Sequence, residues 1–326
     1  MKLTPERPTS RPARGVSSDG HSDSQSDRQS NKKAVNLPPE ILKKVKLLEM
    51  NTRKIVNSVF AGQYHSAFKG QGMTFAEFRE YVPGDDVRAI SWPVTARTGK
   101  TFIKKFDEER ELTLMLVVDV SGSLNFGSGS YFKGEIVTYL AAILGFAAVR
   151  NNDHVGLLLL SDQVEHYVPP RKGRGHVQRI LRDLFYFKPK SGRTKLSVGM
   201  DYLRGILKKR ASVFVFSDFQ DASYAMALKA MSKKHDVVAV VVEDPNELKL
   251  PDLGLVDLTD AETGEVVTVD TSSSSFRKAF TDQAKARTQM RERELRQSSV
   301  DRVDVVSGEN FVDPLIAYFR KKNSRR

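Results

Sequence analysis

Residues Leu114–Ser123 read LMLVVDVSGS. Five consecutive apolar residues, with no polar residue at every second position, fit a strand buried on both faces. The run stops at Asp119, and Val120-Ser121-Gly122-Ser123 follows, with two hydroxyls and a glycine. An aspartate and two serines at alternate positions after a buried strand place three side-chain oxygens at a strand end, where open α/β sheets bind ligands.

Downstream, the same alternation continues. Lys133–Arg150 is apolar nearly all round, as a well-buried helix would be. Val155–Leu160 (VGLLLL), Val213–Phe216 (VFVF) and Val237–Val242 (VVAVVV) are continuous strands, with Val164–Val168 pairing beside the first of them. His176–Phe185, Leu196–Lys209 and Ala222–Lys234 read as helices between them. Such strands separated by helices predict an α/β fold, a doubly wound and mostly parallel sheet with helices on both faces. Leu255–Val269 predicts a hairpin turning at Glu262-Thr263-Gly264. Residues 275–297 predict a charged helix with Phe276 and Phe280 inward, Val303–Val306 a last strand, and Pro314–Arg320 a short final helix.

Upstream, residues 1–36 are rich in Ser, Arg and Pro and poor in apolar residues, which predicts disorder. Leu37-Pro38-Pro39 opens a helix whose apolar stripe is Ile41, Val45, Leu48 and Ile55, ending near Gly62. Residues 63–111 are Gly-punctuated and mixed in charge, with a turn at Pro83-Gly84-Asp85 and a strand at Thr101–Phe106. They predict a small N-terminal β-rich subdomain. The expected organisation is therefore a disordered segment (1–36), a helix (37–62), the β-rich subdomain (63–111), the α/β domain with its hairpin and C-terminal helix (112–320), and a basic tail (321–326).

The chain has 326 residues, 52 Lys plus Arg against 40 Asp plus Glu, and a formal net charge of +12. Residues 1–36 carry +3 and residues 277–326 carry +6, so the basicity sits mainly at the ends and not around a central groove. Solvated ends explain this more simply than specific nucleic-acid binding. With no cysteine, disulfides, thiolate metal sites and Cys nucleophiles are excluded. No signal-peptide pattern opens the chain, and its longest apolar run, Ile136–Val149, is too short to span a bilayer. These readings predict a cytoplasmic protein with no transmembrane segment.

A second carboxylate ends a later strand: Ser217-Asp218 follows VFVF, and the loop Lys190-Ser191-Gly192-Arg193-Thr194 lies between. If the sheet is parallel, Asp119, Ser121, Ser123, Thr194 and Asp218 share one rim. Clustered carboxylates repel unless a cation sits between them, and an oxygen-only set suits a hard ion, Mg²⁺ first, with Mn²⁺ or Ca²⁺ as substitutes. An Asp at a strand end also caps helices or closes Asx turns, so Asp119 taken alone admits either role. There is no GxxxxGK[ST], HExxH or GxSxG, and the DxD of aspartate-nucleophile phosphatases is interrupted by Ser121. His235, at a helix end, reads as a residue favoured by the helix dipole.

The DxSxS motif, the Thr and the later Asp resemble the metal-ion-dependent adhesion site of von Willebrand factor A-type domains. FREYVPGDDVRAISWPVTART (78–98), EERELTLMLVVDVSGS (108–123), VFSDF (215–219), KKHDVVAVVVEDPNELKLPDLG (233–254) and DAETGE (260–265) resemble the bacterial domain of unknown function 58 family over about residues 37–320. The resemblance implies a von Willebrand A-like fold and a role as adaptor or partner of a MoxR-type AAA+ ATPase and of other von Willebrand A-domain proteins, in maturation, assembly or stress response. It implies no defined reaction. The expectation is a non-enzymatic, metal-dependent protein-binding module. One alternative is a metal-independent scaffold docking through the β-rich subdomain; another is weak nucleic-acid or membrane-surface binding through basic tails. In the family block, Arg79, Asp85, Asp86, Arg88, Arg97 and Glu109 read as paired charges fixing the subdomain, and Trp92 as its packing anchor.

Overall fold

Proline is tolerated in a first helical turn because the N–H it lacks would have no partner there, and α1 starts at Pro39, running Pro39–Ile55 ahead of a short α2, Ala61–Ala67. The computed structural model describes residues 39–57, 61–67, 74–107, 112–128, 131–221 and 223–325. The expectations for 1–36 and for Glu109 lie outside them. Next come β1 (Thr74–Glu80), α3 (Trp92–Thr98) and β2 (Phe102–Asp107), with β1 and β2 paired antiparallel. The main sheet and its helices follow in order: β3 (Thr113–Asp119), α4 (Lys133–Arg150), β4 (His154–Leu160), β5 (Val164–Arg171), α5 (Arg174–Tyr186), α6 (Leu196–Ile206), β6 (Ser212–Ser217), α7 (Tyr224–Ser232) and β7 (Asp236–Glu243). Then α8 (Pro245–Leu248), the hairpin β8 (Leu255–Thr259) and β9 (Val266–Asp270), α9 (Ser274–Gln297), β10 (Asp301–Val306) and α10 (Asp313–Ser324) complete the chain.

The six-stranded sheet has the order β10-β7-β6-β3-β4-β5, and every neighbouring pair is parallel except β4 with β5. Its first strand in sequence, β3, is central. The uninterrupted apolar run of β3 has a physical reason. Leu114, Leu116 and Val118 enter one core with residues of α1, α4, α5 and α10, while Met115 and Val117 enter a second core with α6, α7 and α9. Side chains alternate across a strand, so both parities must be apolar when both faces are covered. This is a doubly wound, mostly parallel α/β architecture with helices on both faces.

Several expectations are refined or corrected. The expected helix of 37–62 is seen as α1, which runs to Ile55, and Gly62 falls in α2; residues 58–60 lie outside the described residues. Phe276 and Phe280, half-buried, do share the inner face of α9, at helical spacing from Ala284, Arg291 and Leu295, which are its fully buried residues. Of the expected basic tail (321–326), the described residues begin inside the fold: α10 continues to Ser324, and Lys322 pairs with Asp236 at 2.8 Å and Asp301 at 3.2 Å. Other C-terminal basic residues are likewise neutralised, Arg302 by Glu292 and Asp304, and Arg291 by Glu243. His235 is buried, and its Nδ1 accepts from the Ala211 N–H, so it serves as a neutral acceptor and not a dipole cation; burial and then Lys234 and Arg210 push its pKa down. Trp92 is 68% exposed and anchors nothing: one hairpin and a seven-residue helix form too thin a layer to enclose an indole. The charges around it do pair, Arg79 with Asp85 at 2.7 Å, while Asp86 accepts from the Arg88 N–H at a turn.

Candidate metal centre

β3 ends at Asp119 and β6 at Ser217, and the two strands are direct neighbours through Val118 and Phe216. The register therefore sets Asp119 beside Ser217-Asp218 at the carboxyl ends of the strands. The Ser217 hydroxyl donates to Asp119 Oδ2 at 2.7 Å and accepts from the Phe219 N–H at 3.0 Å. Phe219 turns the chain sharply after Asp218, at φ 54°, a left-handed conformation uncommon for a bulky side chain. The Ser121 N–H donates to Asp119 Oδ1 at 3.0 Å, so the turn-closing role exists alongside the cross-strand one. The Ser121 and Ser123 hydroxyls are 3.2 Å apart.

The Gly122 N–H donates to the Gly192 carbonyl at 3.0 Å, which ties the loop of Thr194 to the DxSxS loop. Thr194 is half-buried, and its side chain makes no hydrogen bond among the described residues. Asp119, Ser121, Ser123 and Asp218 thus gather at one rim, and Thr194 arrives on an adjoining loop without being bonded to them.

Asp119 and Asp218 are both buried. Burial, and next the Asp218 charge, push the Asp119 carboxyl up to about 6 against the opposing hydrogen bonds from Ser217 and Ser121. A divalent ion between the two carboxylates would remove that repulsion, and each Asp119 oxygen keeps lone-pair capacity beyond its hydrogen bond. The donor set is all oxygen, so these residues fit a hard cation. Among the described residues no group of three or more His, Asp or Glu is placed to hold a metal, and the oxygens gathered here are two carboxylates with the Ser121 and Ser123 hydroxyls.

Four further residues shape the rim. Ser217 was legible only as the neighbour of Asp218. Lys133, the first residue of α4, is 1% exposed; its Nζ lies 2.7 Å from Glu247 Oε1 and 3.6 Å from Asp218 Oδ2. Glu247 also accepts from the Asp244 N–H at the start of α8, and burial raises its pKa more than Lys133 lowers it. Arg291 donates to the Asp218 carbonyl at 3.1 Å and pairs with Glu243 at 2.8 Å. The signal that marks Lys133 is a lysine opening an apolar helix; Glu247 is marked as the third helical residue of a capping box, Asp244-Pro245-Asn246-Glu247, though nothing local pairs it with Lys133, and Arg291 has no local signal because its partners come from distant elements.

The turn of the β8–β9 hairpin lies over this rim. A Cβ on Gly122 would run into the Ala261 carbonyl oxygen, and one on Gly192 would stand 3.1 Å from the Glu262 carbonyl. Only glycine lets the turn come so close. Asp260 holds the turn by accepting from the Glu262 and Thr263 N–H groups, each at 2.8 Å.

Comparison with known proteins adds the following. Residues 77–290 match the family model described as "Protein of unknown function DUF58". Uncharacterized proteins of Mycobacterium bovis and Mycobacterium tuberculosis are each 34% identical over 231 residues, covering 70% of this chain and 73% of theirs. Among solved structures, BatB from Bacteroides thetaiotaomicron is 16% identical with a TM-score of 0.41, covering 66% of this chain and 100% of that one. The SpRpn10 VWA domain is 13% identical with a TM-score of 0.36, covering 63% and 94%.

Proposed function

Since this chain belongs to the DUF58 family, we propose that it is a non-enzymatic protein-binding module whose grip on its partner depends on a divalent ion. The observation that carries this reading is the gathering of Asp119, Ser121, Ser123 and Asp218 at the ends of β3 and β6, with oxygen donors only. These four residues, with Thr194 from the adjoining loop, would hold Mg²⁺, and Mn²⁺ or Ca²⁺ would use the same donors. Bound there, the ion supplies positive charge for an acidic side chain from outside. The partner we propose, from the family resemblance, is a MoxR-type AAA+ ATPase, with other von Willebrand A-domain proteins in the same assembly. No helix among the described residues is long and apolar enough to cross a membrane, and the proposed setting is cytoplasmic.

The test is the affinity of the full chain for its MoxR-type ATPase in Mg²⁺, in EDTA, and with Asp119→Ala. Chelation and the substitution should each weaken binding tenfold or more. Equal affinity in all three conditions refutes the metal-dependent reading.

One observation favours metal-independent docking through the β-rich unit. Trp92 and Val87, at 68% and 64% exposed, share that unit with exposed Phe78 and Val82. Exposed tryptophan is enriched in interface hot spots. Under this reading EDTA leaves the affinity alone and Trp92→Ala reduces it about tenfold.

A further inference from the structure

A lysine on a helix normally runs its stem along the surface and keeps its ammonium in water. Lys133 does not: it is buried at the first position of α4, and its charge is met by Glu247 and Asp218. Asp218 is also a proposed ion ligand, so one carboxylate faces two claims. The neighbouring pair Arg291–Glu243 cancels itself. What remains is an excess of negative charge: Asp119, Asp218 and Glu247, with the buried Asp244 beside Glu247, against the single ammonium of Lys133. A cation bound among these carboxylates would offset that excess.

We propose that Lys133 is a built-in counter-cation that competes with the divalent ion for Asp218 and so sets how tightly the site holds it. This rests on the metal reading of the site. An ion seated on Asp218 would stand about 2.1 Å from a carboxylate oxygen, a few ångström from the ammonium that already faces it, and like charges at that range repel strongly in a buried setting. Lys133 therefore keeps the ion exchangeable. A partner carboxylate adds negative charge to the same cluster and shifts the balance towards retention, so ion and partner bind cooperatively. Glu247 acts in the opposite sense to Lys133. It draws the ammonium aside at 2.7 Å, and without it Lys133 would bear fully on Asp218.

The experiment is Mn²⁺ binding to the full chain, read from the free-ion EPR signal. The proteins compared are wild type, Lys133→Met, Glu247→Gln, the double variant Lys133→Met/Glu247→Gln, and Asp119→Ala as the site control. Lys133→Met should bind Mn²⁺ at least tenfold tighter than wild type, and Glu247→Gln at least threefold weaker. The double variant has the net charge of wild type but no ammonium beside Asp218, and should again bind tighter than wild type. It keeps the test decisive if Lys133→Met alone fails to fold with two unpaired carboxylates. Wild-type binding that is lost in Asp119→Ala but not tightened in either Lys133 variant overturns the competition and leaves the metal site standing. Absence of binding in every variant at millimolar Mn²⁺ overturns both. Binding that appears only when Lys133 is replaced supports both.

Discussion

A carboxylate at the end of a buried strand can lower its energy by accepting local N–H groups, by pairing with a cation, or by keeping its proton. Asp119 does the first, through Ser121 and Ser217, and burial beside Asp218 drives it towards the third, with its pKa at about 6 against 3.8 for a free side chain. The folded state thus holds a proton that the unfolded chain releases near pH 4. Stability from this group is fully present at low pH, declines as pH rises from about 4 to about 6, and is flat above, a loss of about 3 kcal/mol. In EDTA, Asp119→Asn should remove that slope and be more stable than wild type at pH 7 by about 1–3 kcal/mol. Urea unfolding at pH 4, 5, 6 and 7 measures it; an unchanged slope would place the burden on another group. That an Asp ends this strand was plain from LMLVVD, and its repulsion by Asp218 followed from the parallel-sheet reading; the larger cause of its raised pKa, its burial, was not legible, because it depends on how the loops pack around the strand end.

At the scale of elements, the β8–β9 hairpin is the informative case. Its strands pair with each other and with no strand of the main sheet, and Leu255, Val266 and Val267 are exposed. Its turn meets the body at Gly122 and Gly192. Gly122→Ala forces a methyl group against the Ala261 backbone, which cannot rotate away as a side chain could. The expected result is a lifted turn: faster amide hydrogen exchange at Glu262 and Thr263, with unfolding stability changed by less than about 1 kcal/mol, since no core side chain moves. Unchanged exchange in a folded variant would mean that the turn yields elsewhere. The hairpin was legible from its alternation and its Thr-Gly turn, but its seat on the DxSxS loop was not. Nothing in DAETGE specifies which surface it touches.

For the molecule as a whole, the chain end belongs to the core. Phe319 is fully buried, with ring centroids 6.2 Å from Phe214 and 5.1 Å from Tyr318, and α10 closes the same core as α1, α4 and α5. Phe319→Ala should cost about 3–5 kcal/mol in urea unfolding; a cost under about 1 kcal/mol would show the helix to be dispensable. Sequence alone determined the strands of the main sheet, the helices between them, a mostly parallel sheet covered on both faces, and the presence of Asp119 and Asp218 on its rim. Burial imposes a periodic pattern within each segment, and that pattern is local. Only the tertiary structure decided that Lys133 meets Glu247 across 114 residues, that Trp92 faces outward, and that a hairpin turn rests on Gly122. Charge pairing and close approach depend on distances between segments far apart in the chain, and no periodicity within either segment encodes them.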